Sequence, residues 1–202
     1  DVWIVTGEMN TNQYYAFLFT KDGVCSTPVI SSPGGPINNG TRGTFKFSPN
    51  GAKMINTMQD RTPYLFDFDN STGLLSNPYA LHADDHHSAS FSPNSEMLYI
   101  GHSGSPDIGT IYQYDMGAAN ILGSRTLVGT NSGNNDITTV WQMQNAPDGK
   151  IYLAAGFDNT ESLAVINQPN LKAPGCNFQG NDLFLQGRLA DYYPFISIFN
   201  ES

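Results

Sequence analysis

The sequence predicts an all-β protein made of repeated four-stranded antiparallel sheets. Three observations carry that expectation. The first is composition: of 202 residues only 13% are charged, 12% are aromatic, and 20 Gly and 12 Pro supply turns. An average globular domain carries about 25% charged residues. The second is a recurrent unit of strand, tight turn and strand. It reads FKFSPNGAKMINTM at 45–58, ASFSPNSEMLYIGH at 89–102 and QNAPDGKIYLAAG at 144–156. The third is an alternating strand after each unit: YLFDFD at 64–69, IYQYDM at 111–116 and LAVINQ at 163–168. Period-two alternation marks a half-buried strand.

The elements follow in order. Val2–Gly7 and Tyr14–Thr20 read as strands, with a turn at Lys21, Asp22 and Gly23 and a further strand at 24–30. The turn prolines Pro49, Pro93 and Pro147 lie 44 and 54 positions apart, near one propeller blade. Pro presets φ at the first turn position, Asn or Asp follows, and Gly supplies the positive φ after it. Gly51 and Gly149 fill that last role, and Ser95 replaces Gly in the middle copy, where it predicts a strained turn. A less regular fourth strand is expected near 74–81, 121–129 and 176–186. Each repeat is then a four-stranded meander. The first unit lacks its innermost strand, and the terminal segment 193–199 is a lone strand that could supply it. The expected fold is a β-propeller with about four blades, at 1–40 plus 193–200, 41–86, 87–133 and 134–192. The alternative is a piece of a larger ring, for example one of seven blades. The expected core is Phe45, Phe47, Ile55, Leu65, Phe91, Leu98, Ile100, Ile111, Ile151, Leu153 and Val165.

Composition also excludes functions. Nine basic residues against 18 acidic ones, a net charge of −9, leave no strip to neutralise a phosphate backbone, so no nucleic-acid partner is expected. No apolar run approaches the ~18 residues of a membrane span. The chain opens on a strand with no signal peptide, which suggests a mature or trimmed product. Cys25 and Cys176 allow a disulfide or two free thiols.

Taken in order, DVWIVTGEMNTNQYYAFLFTKDGV, FKFSPNGAKM, YLFDFDNSTGLLSNP, FSPNSEMLYI, IYQYDM, APDGKIYLA and YYPFIS resemble the β-propeller region of large secreted surface proteins of the Bacteroidota. Those proteins often carry PKD-like repeats and a C-terminal gliding-motility or type IX secretion sorting domain. The resemblance implies an exported, non-catalytic interaction or adhesion module. It also implies further sequence, enough for more blades, before the DVWIVTG strand.

The candidate chemistry is sparse. His82, Asp84, Asp85, His86 and His87 cluster just before the first strand of a repeat, in a composition suited to Zn²⁺ or another divalent metal. The competing reading is a polar loop whose histidines cap turns. His102 follows the second strand of the same blade and could join them. Trp141, Tyr192 and Tyr193, near Gly/Asn/Ser-rich loops at 31–43, 101–109 and 129–136, could form a sugar- or protein-binding face with His86 and His87. Their other reading is packing between blades. The run Asp67–Gly73 reads as an Asx-rich hairpin turn, because a Ca²⁺ loop needs a terminal Glu at a 12-residue spacing. No G-x-S-x-G elbow, P-loop or dinucleotide glycine pattern is present. Three functions follow as expectations: a non-catalytic secreted or cell-surface module for protein or glycan binding or adhesion, a metal-dependent hydrolase or lyase on a propeller scaffold, or a structural subunit of an extracellular assembly that could self-associate.

Overall fold

The computed structural model describes residues 1–37, 43–58, 61–83, 86–102, 109–130, 140–155 and 162–184. Among them, four antiparallel sheets form the blades of a propeller. Blade 1 holds β1 (Val2–Gly7), β2 (Tyr14–Thr20), β3 (Gly23–Val24) and β4 (Val29–Ser31). Blade 2 holds β5 (Gly43–Phe47), β6 (Lys53–Met58), β7 (Tyr64–Asp69) and β8 (Leu74–Ala80). Blade 3 holds β9 (His86–Phe91), β10 (Met97–His102), β11 (Thr110–Asp115) and β12 (Thr126–Thr130). Blade 4 holds β13 (Val140–Asn145), β14 (Ile151–Ala155), β15 (Ser162–Ile166) and β16 (Phe178–Phe184). Blades 2 to 4 are simple meanders, each strand paired with the next. The first strands β5, β9 and β13 lie side by side as the inner edges.

Two expected strands are corrected. The strand at 24–30 is broken into β3 and β4, which pair with opposite ends of β2. Pro28 lies in the gap and has no N–H to continue a ladder. The strand at 121–129 starts only at Thr126, because Leu122–Ser124 forms a 3₁₀ turn. That turn is held by Asn120 Oδ1, which accepts from Gly123 N at 3.0 Å, and by Ser124 Oγ, which donates to Ile121 O at 2.7 Å. The segment 193–199, expected to complete blade 1, lies outside the described residues.

The Ser-Pro-Asn turns form by one repeated mechanism. Ser48 Oγ donates to Asn50 Oδ1 and accepts from Lys53 N. Ser92 does the same with Asn94 and Met97 N. Gly51, Ser95 and Gly149 all have positive φ, at 70°, 66° and 79°. Asp69 Oδ1 accepts from the backbone N–H and the hydroxyl of Ser71, the Asx turn expected there. Across the blade seam Trp3 covers this turn, donating from its indole N–H to Asn70 O at 2.9 Å.

Every residue of β9 and β10 is buried, because blade 3 has a blade on each face. Nine of the expected core residues are at most 2% exposed, and Phe45 and Phe47 pack partly buried on the seam between blades 1 and 2. That seam also contains Tyr14, Met54, Phe66 and Phe68. Side chains fasten neighbouring inner strands: Ser88 Oγ donates to Val140 O at 2.7 Å and Asn145 Nδ2 to Phe91 O at 2.8 Å. At Gly101 the blades come so close that a Cβ would lie 2.7 Å from Val140 Cβ. The far face of blade 1 exposes Val2, Ile4, Phe19, Val24 and Ile30. Cys25 is exposed, Cys176 is buried, and both are free thiols.

Candidate functional site

The meander topology separates two ends of the propeller. One end carries the tight turns at 48–52, 92–96 and 146–150. The other carries the passages from blade to blade and the connections between second and third strands. His82, His86, His87, His102 and Trp141 all sit at this second end, at or beside strand termini.

The histidines there are structural neighbours of one another. His86, His87 and His102 are 1%, 3% and 2% exposed. The rings of His86 and His102 meet edge to face with centroids 4.3 Å apart. His86 Nε2 lies 3.0 Å from His82 O, and a carbonyl only accepts, so that nitrogen carries a proton. Arg125 Nη2 lies 3.0 Å from His102 Nε2. A guanidinium only donates, so His102 Nε2 accepts and the ring is neutral with its proton on Nδ1. The Arg125 guanidinium also stacks 3.7 Å over the Tyr112 ring, a cation–π contact. His82 Nδ1 lies 3.1 Å from the Tyr114 hydroxyl.

His87 and Trp141 reach each other by a device the alternation pattern conceals. In blade 3, His102 pairs with His86 and Gly101 with Ser88, leaving His87 as the extra residue of a β-bulge. In blade 4, Val140 pairs with Ala155 and Gln142 with Ala154, leaving Trp141 as the extra residue. Bulges re-aim side chains. Here they bring the two rings edge to face at 4.3 Å between adjacent blades. Trp141 is 9% exposed, so it packs between blades as one of its two readings proposed.

Of the residues expected to form a metal site, His82 and His86 are brought together, and Asp84 and Asp85 lie outside the described residues. Among the described residues no three His, Cys, Asp or Glu side chains converge as ligands. Tyr192 and Tyr193 also lie outside the described residues, as do most of the Gly/Asn/Ser-rich loops.

Two cavities were not expected from sequence. The first, of 280 Å³, lies at the inner edges and is lined by Thr44, Lys46, Gln142, Gln144 and Tyr152. Lys46 Nζ donates to Gln144 Oε1 at 2.6 Å, which joins blade 2 to blade 4. Burial of the ammonium lowers the Lys46 pKa. The second, of 210 Å³, opens on the blade-to-blade end against the face of blade 2 that meets blade 1. Gly35, Ile37, Asn56, Arg61, Thr62 and Tyr64 line it. Its wall is held in place by backbone bonds, Asn10 N to Ile37 O and Ile37 N to Thr11 O. The visible signal for this cavity was Asn56, a polar residue in the otherwise apolar stripe Met54, Asn56, Met58 of β6.

No protein-family model and no curated protein matches the chain. Solved structures do. The dihydro-heme d1 dehydrogenase NirN in complex with DHE aligns with a TM-score of 0.59 at 17% identity, over 84% of this chain and 33% of that one. The holo PQQ domain of pyranose dehydrogenase from Coprinopsis cinerea aligns with a TM-score of 0.55 at 11% identity, over 82% of this chain and 47% of that one. The fold is a β-propeller. The chain spans less than half the length of either structure, and at these identities the likeness extends to the fold alone.

Proposed function

We propose that this chain is a non-catalytic propeller module, secreted or displayed on a cell surface, that binds a glycan or a protein on its blade-to-blade end. The observation that carries the proposal is the 210 Å³ cavity between blades 1 and 2, which combines a phenol, an amide, a hydroxyl and a guanidinium with apolar walls. Small-molecule sites pair apolar walls with a few placed polar groups in this way. The acidic, weakly charged composition and the resemblance to Bacteroidota surface proteins support the same reading. The test is a screen of the purified chain against immobilised polysaccharides and extracellular matrix proteins. Saturable binding to one of them is the expected result. Failure to bind any of them sinks the proposal.

A second reading, a metal-dependent hydrolase or lyase, is favoured by the pairing of the His86 and His102 rings beside the His82 backbone at the same end. It requires stoichiometric metal in the purified chain, lost in His86→Ala. A metal-free chain would remove it.

A further inference from the structure

The cavity against blade 2 carries one buried polar atom without a hydrogen bond. Asn56 is 6% exposed, and its Nδ2 donates to the Tyr14 hydroxyl at 2.8 Å. Its Oδ1 is buried without a hydrogen bond. Turning the amide over only exchanges which of its polar atoms is left over. A buried acceptor without a partner destabilises the site, so a ligand that donates to it is favoured. Three more polar side chains line the same space. Among the described residues, the Tyr64 hydroxyl, the Thr62 hydroxyl and the Arg61 guanidinium make no side-chain hydrogen bond or ion pair.

The walls set the shape of the occupant. Tyr64 is fixed by stacking on Phe66, with centroids 6.0 Å apart and planes 21° apart. Gly35 leaves the space beside the Tyr64 hydroxyl open, where a Cβ would lie 3.1 Å from that oxygen. Pro36, Ile37 and Met58 provide apolar surface. At 210 Å³ the space is below the ~300–1,000 Å³ of drug-sized sites, and it suits one small ring. A ring with several hydroxyls and apolar C–H faces matches both kinds of wall. Arg61, a cation without an acidic partner among the described residues, suits a carboxylate in bidentate geometry.

We propose that this cavity binds a single uronic-acid residue, with its hydroxyls on Asn56, Thr62 and Tyr64 and its carboxylate on Arg61. The inference rests on the binding role proposed above and specifies its ligand class. The experiment is an NMR titration of the full 202-residue chain with galacturonate, glucuronate, galactose and glucose. The uronates should shift the Asn56 side-chain amide and the Gly35 and Tyr64 resonances at lower concentration than the neutral hexoses do. Arg61→Gln should weaken uronate binding about tenfold, to the hexose level, as expected when the bidentate charge-assisted pair is lost. Tyr64→Phe removes only a hydroxyl and should weaken both sugar classes. Three results overturn the proposal: no shift at these residues with any sugar, which leaves the cavity to water; equal binding of uronate and hexose; or uronate affinity unchanged in Arg61→Gln. A chain that binds a polysaccharide in the screen while these variants bind as before loses this cavity but keeps its binding role.

Discussion

Tyr14 and Asn56 place a polar pair inside an apolar seam. Tyr14 is 1% exposed and meets Phe66 edge to face at 5.2 Å. Burial pushes its phenol up to about 12 from 10.0, opposed by the Asn56 bond and reinforced by Tyr64. A raised phenol pKa means that the folded state keeps a proton the unfolded chain gives up. Stability is therefore complete below pH 10 and falls as pH rises from 10 to 12, by about 1.4 kcal/mol per unit. Tyr14→Phe should remove that part of the alkaline loss, read as the difference between the two proteins in urea unfolding from pH 9 to pH 12. An identical alkaline loss in both would contradict it. At neutral pH the variant should be less stable by about 1–3 kcal/mol, because the Asn56 amide loses its partner. The core residues with clean alternation, from Ile55 to Val165, were legible in the sequence. Tyr14 was legible only as part of a strand, because a tyrosine sits as readily on a wet face as on a dry one.

At the scale of the elements, the Ser-Pro-Asn hairpins test whether local chemistry or packing holds the turn end together. Ser95 sits at a φ of 66°, where its siblings are glycine. A non-glycine residue there costs about 1–2 kcal/mol. Its hydroxyl accepts from Asn50 N at 3.0 Å, a bond from the turn of blade 2 to the turn of blade 3, worth about 0.5–1.5 kcal/mol. Ser95→Gly relieves the strain, loses the bond and loosens the unfolded chain, so it should leave stability within about 1 kcal/mol of the parent. Ser95→Ala keeps the strain and loses the bond, so it should be the less stable of the two by urea denaturation. The reverse order would mean that the strain at this position is smaller than the entropy a glycine adds to the unfolded chain. The strain at Ser95 was readable from the repeat alignment, whereas its compensation was not, because the bond is made to another blade. The bulges at His87 and Trp141 were hidden for a related reason. An extra residue in one strand leaves no mark in that strand's own alternation and appears only in the register against its partner. The strand at 24–30 is interrupted because Pro28 lacks the N–H a ladder needs, a local break that the apolar run around it masks.

At the scale of the whole molecule, the blade count came from turn spacing, but spacing says nothing about what the inner edges enclose. The structure puts a lysine there. Lys46 on β5 crosses the inner edge to Gln144 on β13, so one bond spans two blades separated by a third. Burial is what lowers the Lys46 pKa. A lysine whose folded pKa is depressed opposes folding while it is charged. Stability should therefore climb as pH rises through its folded pKa, until the unfolded lysines also lose their protons near 10.4. That climb runs against the Tyr14 loss, which begins only near pH 10, and the two windows separate them. Lys46→Met keeps the side-chain length and removes the charge. Gln144 is only half-buried, so water can take over its amide and no buried group is orphaned. Removing the desolvation cost without orphaning a partner should raise stability at pH 7 by up to about 1 kcal/mol. The variant should also flatten the climb below pH 10 and leave the Tyr14 loss above it unchanged. If Lys46→Met instead unfolds more easily at pH 7, the bridge between blades 2 and 4 outweighs the desolvation of its own ammonium, and the cation holds the inner edge together.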